Sequence, residues 1–476
     1  MPVSAGGYYP VVKTLEIKLK SPIDALTVRA LKQGRKFILP PSLLSALYIG
    51  LIASALVATA IAAPGSGSFA QEAARGMGVA AAAMLAAQFI SSGRIRALSS
   101  GVGLDVVLGF HRFAATMLVW FVTLHVLAFV APTLAQGPMR AGQHLLTLLT
   151  SPRMLTGVLA IAGMAAIIVA SIKRDAWMKY EVWRMTHGFG ALLVLGLTGH
   201  HVMTTGTASF SPGLWVYWLV LFGAAGAAFT HIYVGRPLLA RRVSWRLDGV
   251  TKLTPKLLEV TITQTRGPAF LFIAGQFVWL NFRPGLAQPF DNPFSIASGP
   301  EELPRMRFLI KAIGDLTRSL PDLPPGADVG VDGPHGNLIV NGRDAGAMLL
   351  VAGGVGLAPL IGVLRSLAAQ GDTRPVRCIY AAGLPDNLVY AQEMRAMESR
   401  LNLVNFFTVD EAPPDWTGGV GAIDATLIRR ALEGLDRDLV LALICGPTPM
   451  MIATADMIAN EGVPLSGIIY ERFAYD

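Results

Sequence analysis

The chain has 476 residues, 53% hydrophobic and 15% charged, with a mean hydropathy of +0.51, which excludes an ordinary soluble enzyme over its whole length. Its net charge of +8 reads as membrane topology, not nucleic-acid binding, because the cations gather beside apolar stretches. Only two cysteines occur, Cys378 and Cys445, both in the more polar second half; a disulfide framework is excluded and a reducing compartment is indicated.

Residues 1–40 lack the charged, apolar and cleavage-site order of a signal peptide and read as a cytoplasmic segment lying on the membrane surface. Six apolar stretches follow that can span a bilayer, at 42–63, 75–91, 104–131, 154–172, 186–204 and 212–233, and they predict a transmembrane domain over 41–235. Cations flank them on one side: seven from Lys13 to Lys36, then Arg94 and Arg96, then Lys173, Arg174, Lys179 and Arg184, then Arg236, Arg241 and Arg242. The opposite loops carry Arg75, Arg140 and Arg153. Both termini and the second half are therefore expected in the cytoplasm, with the protein integral to the cell (inner) membrane.

Histidine inside a bilayer is costly and usually functional. The third stretch holds His111 and His125, fourteen apart; the fifth holds His187 and the pair His200 and His201, thirteen and fourteen further on. Fourteen residues of helix rise about 21 Å and turn back to within about 40° of the starting face, so each stretch offers two imidazoles near opposite faces of the bilayer. Pairing by depth predicts His111 with His187 on an inner haem, and His125 with His200 or His201 on an outer one. Ideal helix geometry favours His201. No CxxCH motif occurs, so the haems are expected to be non-covalent. His144, in an outer loop, His231 and His335 read as structural histidines.

From about residue 241 short β-rich runs (LLEVTITQT, GQFVWLNF, MRFLIKAI) alternate with Gly, Pro and Asn, predicting an antiparallel barrel over 240–342. Residues 343–476 open with an apolar strand, AMLLVAG, the turn Gly353-Gly354-Val355-Gly356, and a helix containing Pro359, an arrangement that offers backbone N–H groups and a helix N-terminus to a phosphate. The later strands VRCIYAAG and LVLALICG, alternating with helical segments, predict a doubly wound α/β sheet.

From about residue 42 to its end the chain resembles the ferric reductase and NADPH oxidase superfamily, on GFHRF…LH in the third span and THGFGALLVLGLTGH in the fifth. The resemblance implies two b-type haems and favours His200, at thirteen-residue spacing, over His201; His200 is the expected outer ligand. It places Arg75 beside the outer haem as a catalytic residue. It also departs, since Phe129 stands where the oxidase branch has a second histidine. In the second half Asn292-Pro293-Phe294-Ser295, KAIGDLT and DGPHG occur in the order of ferredoxin-reductase-type flavin domains. By resemblance Phe294 packs on the flavin of FAD, Ser295 reaches its N5, and Gly314, Thr317 and Gly333 approach its phosphates. Asn292 replaces the Arg or His common in the family, which leaves Lys311 or Arg307 to compensate charge. Cys445-Gly446-Pro447 resembles the CGP turn beside the nicotinamide, and Phe473 in the terminal YERF the aromatic residue that covers the flavin, with Tyr475 as the alternative.

The resemblance implies a transmembrane enzyme taking electrons from cytosolic NADPH or NADH through FAD and two haems to dioxygen, giving superoxide. Ferric-chelate reduction, or supply of electrons to a periplasmic protein or to quinone, is the alternative. Dinucleotide preference stays open, because Leu384, Pro385 and Asp386 follow the second nucleotide-domain strand where NADPH-selective relatives carry an arginine, and Arg374 or Arg377 would have to approach from the preceding loop. No EF-hand loop occurs, so calcium is not an expected partner.

Overall fold

The computed structural model describes residues 41–63, 65, 67–92, 104–178, 180–205, 211–282, 292–343 and 345–471. The N-terminal segment 1–40, Arg94, Arg96, Lys179, Phe473 and Tyr475 lie outside the described residues.

The first half is a helical bundle: α1 (Pro41–Ala62), α2 (Phe69–Ile90), α3 (Leu104–Leu134), α4 (Pro138–Thr150), α5 (Leu155–Ile172), α6 (Tyr180–Thr205) and α7 (Pro212–Thr230). Helix α7 runs through a wide turn, His231–Gly235, into α8 (Arg236–Ala240). Five segments are long and apolar enough to cross a membrane: those on α1, α2, α3, α5, and α7 with its continuation. The fifth expected span falls on α6, a helix of 26 residues, or about 39 Å. Its three histidines, Glu181 and Arg184 hold it below the apolarity of the others. Helix α4 was not expected: the segment read as an outer loop around His144 is helical, with an amphipathic pattern.

The least apolar of the five, α2, is also the most buried. Its run Ala80–Ala87 is buried throughout and packs against α1, α3 and α7. Small side chains let neighbouring backbones approach closely, and a helix screened from lipid by protein has no need of large apolar groups. Helix α5, the most apolar, presents most of its surface outward.

The second half contains two sheets. In the first, β1 (Ser244–Thr254), β2 (Leu257–Arg266), β3 (Phe277–Asn281), β4 (Asn292–Ser295), β5 (Arg305–Lys311) and β6 (Asp328–His335) run antiparallel in the order β4-β3-β6-β1-β2-β5. A closed barrel was expected; the sheet does not close by a continuous ladder, because β4 is only four residues long. A single bridge, Ile296 to Phe308, and a 2.7 Å bond from the Ala297 N–H to the Arg307 carbonyl join its edges. Trp245, Leu247, Val260, Ile262 and Phe308 fill its interior.

The second sheet is wholly parallel: β7 (Ala347–Gly353), β8 (Val376–Ala382), β9 (Leu403–Val409), β10 (Gly419–Val420), β11 (Val440–Cys445) and β12 (Ile468–Tyr470), ordered β10-β9-β8-β7-β11-β12. Helix α10 (Leu357–Gln370) covers one face and α13 (Thr448–Asn460) the other; α9 (Asp315–Ser319) precedes them, and α11 (Ala391–Met397) and α12 (Ala425–Ala431) fall between them in the chain. This is the doubly wound arrangement expected. Helix α10 also seats on the antiparallel sheet, where Arg365 donates to the Ala297 carbonyl at 2.7 Å and holds Glu393 through two 2.6 Å bonds.

Candidate functional site

Three features converge on a route through the molecule: a cavity in the bundle, a histidine pair below it, and the loops at the strand ends of the second half. The cavity, about 520 Å³, lies among α2, α3, α4, α5 and α6. That volume is within the range of sites for cofactor-sized ligands. His125 and His201 both line it and lie within electrostatic reach of each other. Each is admitted by a glycine on the facing helix. A Cβ on Gly78 would come within 2.6 Å of the His125 ring, and one on Gly157 within 2.7 Å of His201.

The His125 Nδ1 lies 2.7 Å from the Ala74 carbonyl and donates to it, which leaves Nε2 as the basic nitrogen. Thr205 lies 3.3 Å from His201 Nδ1 in the same way. His200, the expected outer ligand, does not line this cavity: it is exposed on an adjacent face of α6, 3.3 Å from the Thr156 hydroxyl of α5. One residue along an unbroken helix turns a side chain by about 100°, so adjacent histidines cannot face one cavity together.

Arg75 also lines the cavity and is ion-paired with Glu72, one turn earlier on α2. Phe129 meets His125 edge-on, with ring centroids 5.2 Å apart. Leu145, Leu148 and Leu149 of α4 close the cavity on one side. Sequence reasoning missed these three; the amphipathic pattern of residues 138–150 was the available signal.

Fourteen residues from His125, His111 lies within electrostatic reach of His187. His187 Nδ1 is 3.2 Å from the Ser171 hydroxyl, which also accepts from Trp183 Nε1 at 3.2 Å. His111 Nδ1 is buried beside the Gln88 carbonyl without a well-formed hydrogen bond.

On the antiparallel sheet, Asn292, Pro293, Phe294 and Ser295 form β4 and are all half-buried, with Phe294 6.4 Å from the ring of Phe282. Lys311 is exposed at the end of β5. Arg307 is held by Glu302 at 2.5 Å and lies 3.9 Å from Glu259, so its charge is already matched. At α9 the Thr317 hydroxyl accepts from the Ile313 and Gly314 N–H groups at 3.1 and 3.0 Å, engaging donors that the resemblance offered to phosphate. Gly333 is required by packing: a Cβ there would lie 2.5 Å from Val278.

On the parallel sheet β7 lies between β8 and β11, so the chain reverses its winding at the carboxyl ends of β7 and β11, where open α/β sheets bind ligands. Gly353, Gly354 and Gly356 make the turn after β7, with Gly354 at φ +54°, in the left-handed region. Cys445, Gly446 and Pro447 make the turn after β11. A Cβ on Gly356 would strike the Cys445 carbonyl, and one on Gly446 would lie 3.1 Å from the Gly353 nitrogen. The two turns thus pack backbone to backbone, with Met450 against Gly353 and Gly446. Pro359 is buried in the first turn of α10. Burial pushes the Cys445 thiol up to about 12, with the Glu471 carboxylate adding to the shift.

Glu471 was missed in the sequence. It is buried just after β12, accepts from the Asn337 N–H, and ties the end of the chain to the segment after β6. The charge in the terminal YERF was the signal for it.

Comparison with known proteins divides the chain at the same place. Residues 77–198 match the family described as ferric reductase like transmembrane component, and residues 350–456 the oxidoreductase NAD-binding domain. The chain is 29% identical to ferredoxin–NADP reductase B of Sorangium cellulosum over 236 residues, 48% of this chain and 96% of that protein. It is 32% identical to NADH-cytochrome b5 reductase 1 of Laccaria bicolor over 172 residues, 35% of this chain and 55% of that protein. Among solved structures, a ferredoxin NADP+ reductase from Neisseria gonorrhoeae superposes with a TM-score of 0.43 at 20% identity, covering 48% of this chain and 97% of the other. Together the two family matches correspond to a ferric reductase/NADPH oxidase-like architecture, a membrane component joined to a reductase-type nucleotide domain.

Proposed function

We propose that the chain carries electrons from NAD(P)H on the cytoplasmic side through FAD and two b-type haems to dioxygen on the far side, releasing superoxide. The observation that carries this reading is the pair His125 and His201, facing one cavity across glycines, with the Nδ1 of each beside a protein oxygen and Nε2 left for iron. In this reading they hold the outer haem, His111 and His187 the inner one, and α6, fifth in chain order, brings the spans to six. Arg75 stands at the outer haem, Phe294 and Ser295 at the flavin, Cys445 at the nicotinamide, and Phe473 is the aromatic lid over the flavin. When bound, the flavin accepts a hydride and gives up electrons singly, and the haems conduct them.

The chain's own residues bind, orient and exclude. Ala74 fixes the His125 tautomer and Ser171 orients His187. The packed Gly353–Gly356 and Cys445–Pro447 turns would present backbone to the dinucleotide, and Cys445 stays a neutral thiol that brings no charge to the nicotinamide. Leu145, Leu148 and Leu149 keep the outer cavity apolar.

With His125 and His201 both holding the iron, no protein-free position would remain on it, and a small acceptor would have to be met at the cavity rim. Glu72 neutralises Arg75 there, and among the described residues that line the cavity no other Lys or Arg occurs to gather an anionic ferric chelate. A neutral diatomic acceptor needs none. The test is turnover of the purified chain with NADH or NADPH, scored for superoxide with and without ferric citrate. Superoxide formation that citrate-bound iron does not suppress supports dioxygen. Iron reduction without superoxide makes the chain a ferric-chelate reductase, and an absorbance spectrum lacking haem refutes the whole route.

A further inference from the structure

We infer that the nucleotide site selects NADH over NADPH, because the strand ends that meet the adenosine ribose carry carboxylates and no cation. The inference rests on the reading of the parallel sheet as the dinucleotide site and names which dinucleotide it takes.

In a doubly wound sheet the ligand crosses the carboxyl ends of the strands, and the end of the second strand meets the adenosine ribose, where an acidic group bonds the 2′-hydroxyl or an arginine holds a 2′-phosphate. The second strand here is β8, ending at Ala382. The chain continues through Gly383, Leu384, Pro385 and Asp386. The neighbouring strand β9 ends beside it, with the Asp410 N–H donating to the Ala382 carbonyl at 3.1 Å and the Glu411 N–H to the Gly383 carbonyl at 3.0 Å. The Asp410 carboxylate lies 4.0 Å from where a Cβ on Gly383 would stand. Asp386, Asp410, Glu411 and Asp415 are all exposed on this edge. Among the described residues, the loops at 354–356, 383–390, 410–418 and 446–450 contain no Lys or Arg.

The two arginines that the sequence left as candidates stand at the other end of the sheet. Arg374 precedes β8 and is held by Asp372 at 2.6 Å and by the Ala345 carbonyl at 3.1 Å. Arg377 is the second residue of β8 and donates to the Val376 carbonyl at 3.1 Å. At about 3.3 Å per residue, five strand residues separate Arg377 from Ala382 by about 16 Å, and Arg374 is farther still. Arg395, on α11, lies over the Phe407 ring at 5.2 Å. A 2′-phosphate would add about two negative charges beside Asp386 and Asp410 with no cation on these loops, among the described residues, to receive them, whereas a ribose 2′-hydroxyl can donate to either carboxylate.

The experiment uses the purified full chain in detergent, loaded with FAD. Equilibrium binding of NAD+ and NADP+ is measured, together with anaerobic flavin bleaching by NADH and NADPH, in the parent and in Asp410→Ser and Asp386→Ser. NAD+ binding at least tenfold tighter than NADP+, with that ratio falling severalfold in one or both variants, supports the inference. Equal or tighter binding of NADP+ overturns it. A preference for NAD+ that neither substitution moves overturns the assignment to these carboxylates. Failure of both dinucleotides to bind refutes instead the underlying reading of the sheet as a nucleotide site.

Discussion

Histidine 201 and histidine 200 are adjacent in sequence and opposite in circumstance, one facing a cavity with His125 and the other exposed beside Thr156. Replacing His201 with Leu should therefore remove about half of the bound haem, while His200→Leu should leave the haem-to-protein ratio and the spectrum of the parent. Pyridine haemochrome quantification of the two variants decides this, and equal loss in both refutes the assignment. At the other end of the chain, burial pushes both Cys378 and Cys445 up to about 12, well above the usual 8.5. Both thiols thus stay protonated from pH 7 to 9. Iodoacetamide labelling of the native chain should be slow and nearly flat across that range, and mass spectrometry should find full labelling only after unfolding. Rapid native labelling of Cys445 at pH 8 contradicts this picture.

At the scale of elements, the bundle cavity, which we propose holds the outer haem, depends on where the helices lack side chains. A methyl group on Gly78 or Gly157 would strike an imidazole, so Gly78→Val and Gly157→Val should each displace their histidine and cost outer-haem occupancy, while the inner haem is kept. Redox titration resolves the two: loss of one of two midpoint potentials is expected, and two unchanged potentials contradict it. The same elements set how much could be read from sequence. The depth of His111, His125, His187 and His201 was legible, because helical rise converts spacing directly into height. Their facing was less so, since the preference for His200 came from resemblance while the angle of an unbroken α6 turns His201 inward. Helix α4 was hidden because its apolar residues are too few for a span, and their lid-like placement on the cavity depends on the path of the whole loop. The open antiparallel sheet was hidden as well: alternation predicts strands, but closure depends on the length and register of the short β4.

Over the whole molecule, the flavin sheet and the bundle meet where α8 approaches β6. Arg236, at the start of α8, is ion-paired with Asp332 of β6 and donates to His335 Nε2 at 3.3 Å, and His335 in turn stacks on Phe277 of β3 at 5.6 Å. Both members of the ion pair are largely buried, and removing one partner of such a pair costs on the order of 3–5 kcal/mol. This link lies outside the glycine turns of the parallel sheet and outside both histidine pairs, yet it holds β6 of the antiparallel sheet against the end of the membrane bundle. Arg236→Ala and Asp332→Ala should accordingly leave flavin reduction by nicotinamide near the parental rate and slow the subsequent haem reduction at least tenfold. A fragment beginning at Ser244, which lacks the bundle, should still bind flavin and reduce artificial dyes, since the two sheets have cores of their own. Stopped-flow absorbance separates the steps, with flavin bleaching followed by the shift of the haem band. Haem reduction at the parental rate in both alanine variants shows that the link is not what positions the flavin domain. Slowing of flavin bleaching as well shows that the damage has spread into the sheet, in which case Arg236→Lys, which keeps the charge, should restore the first step before the second.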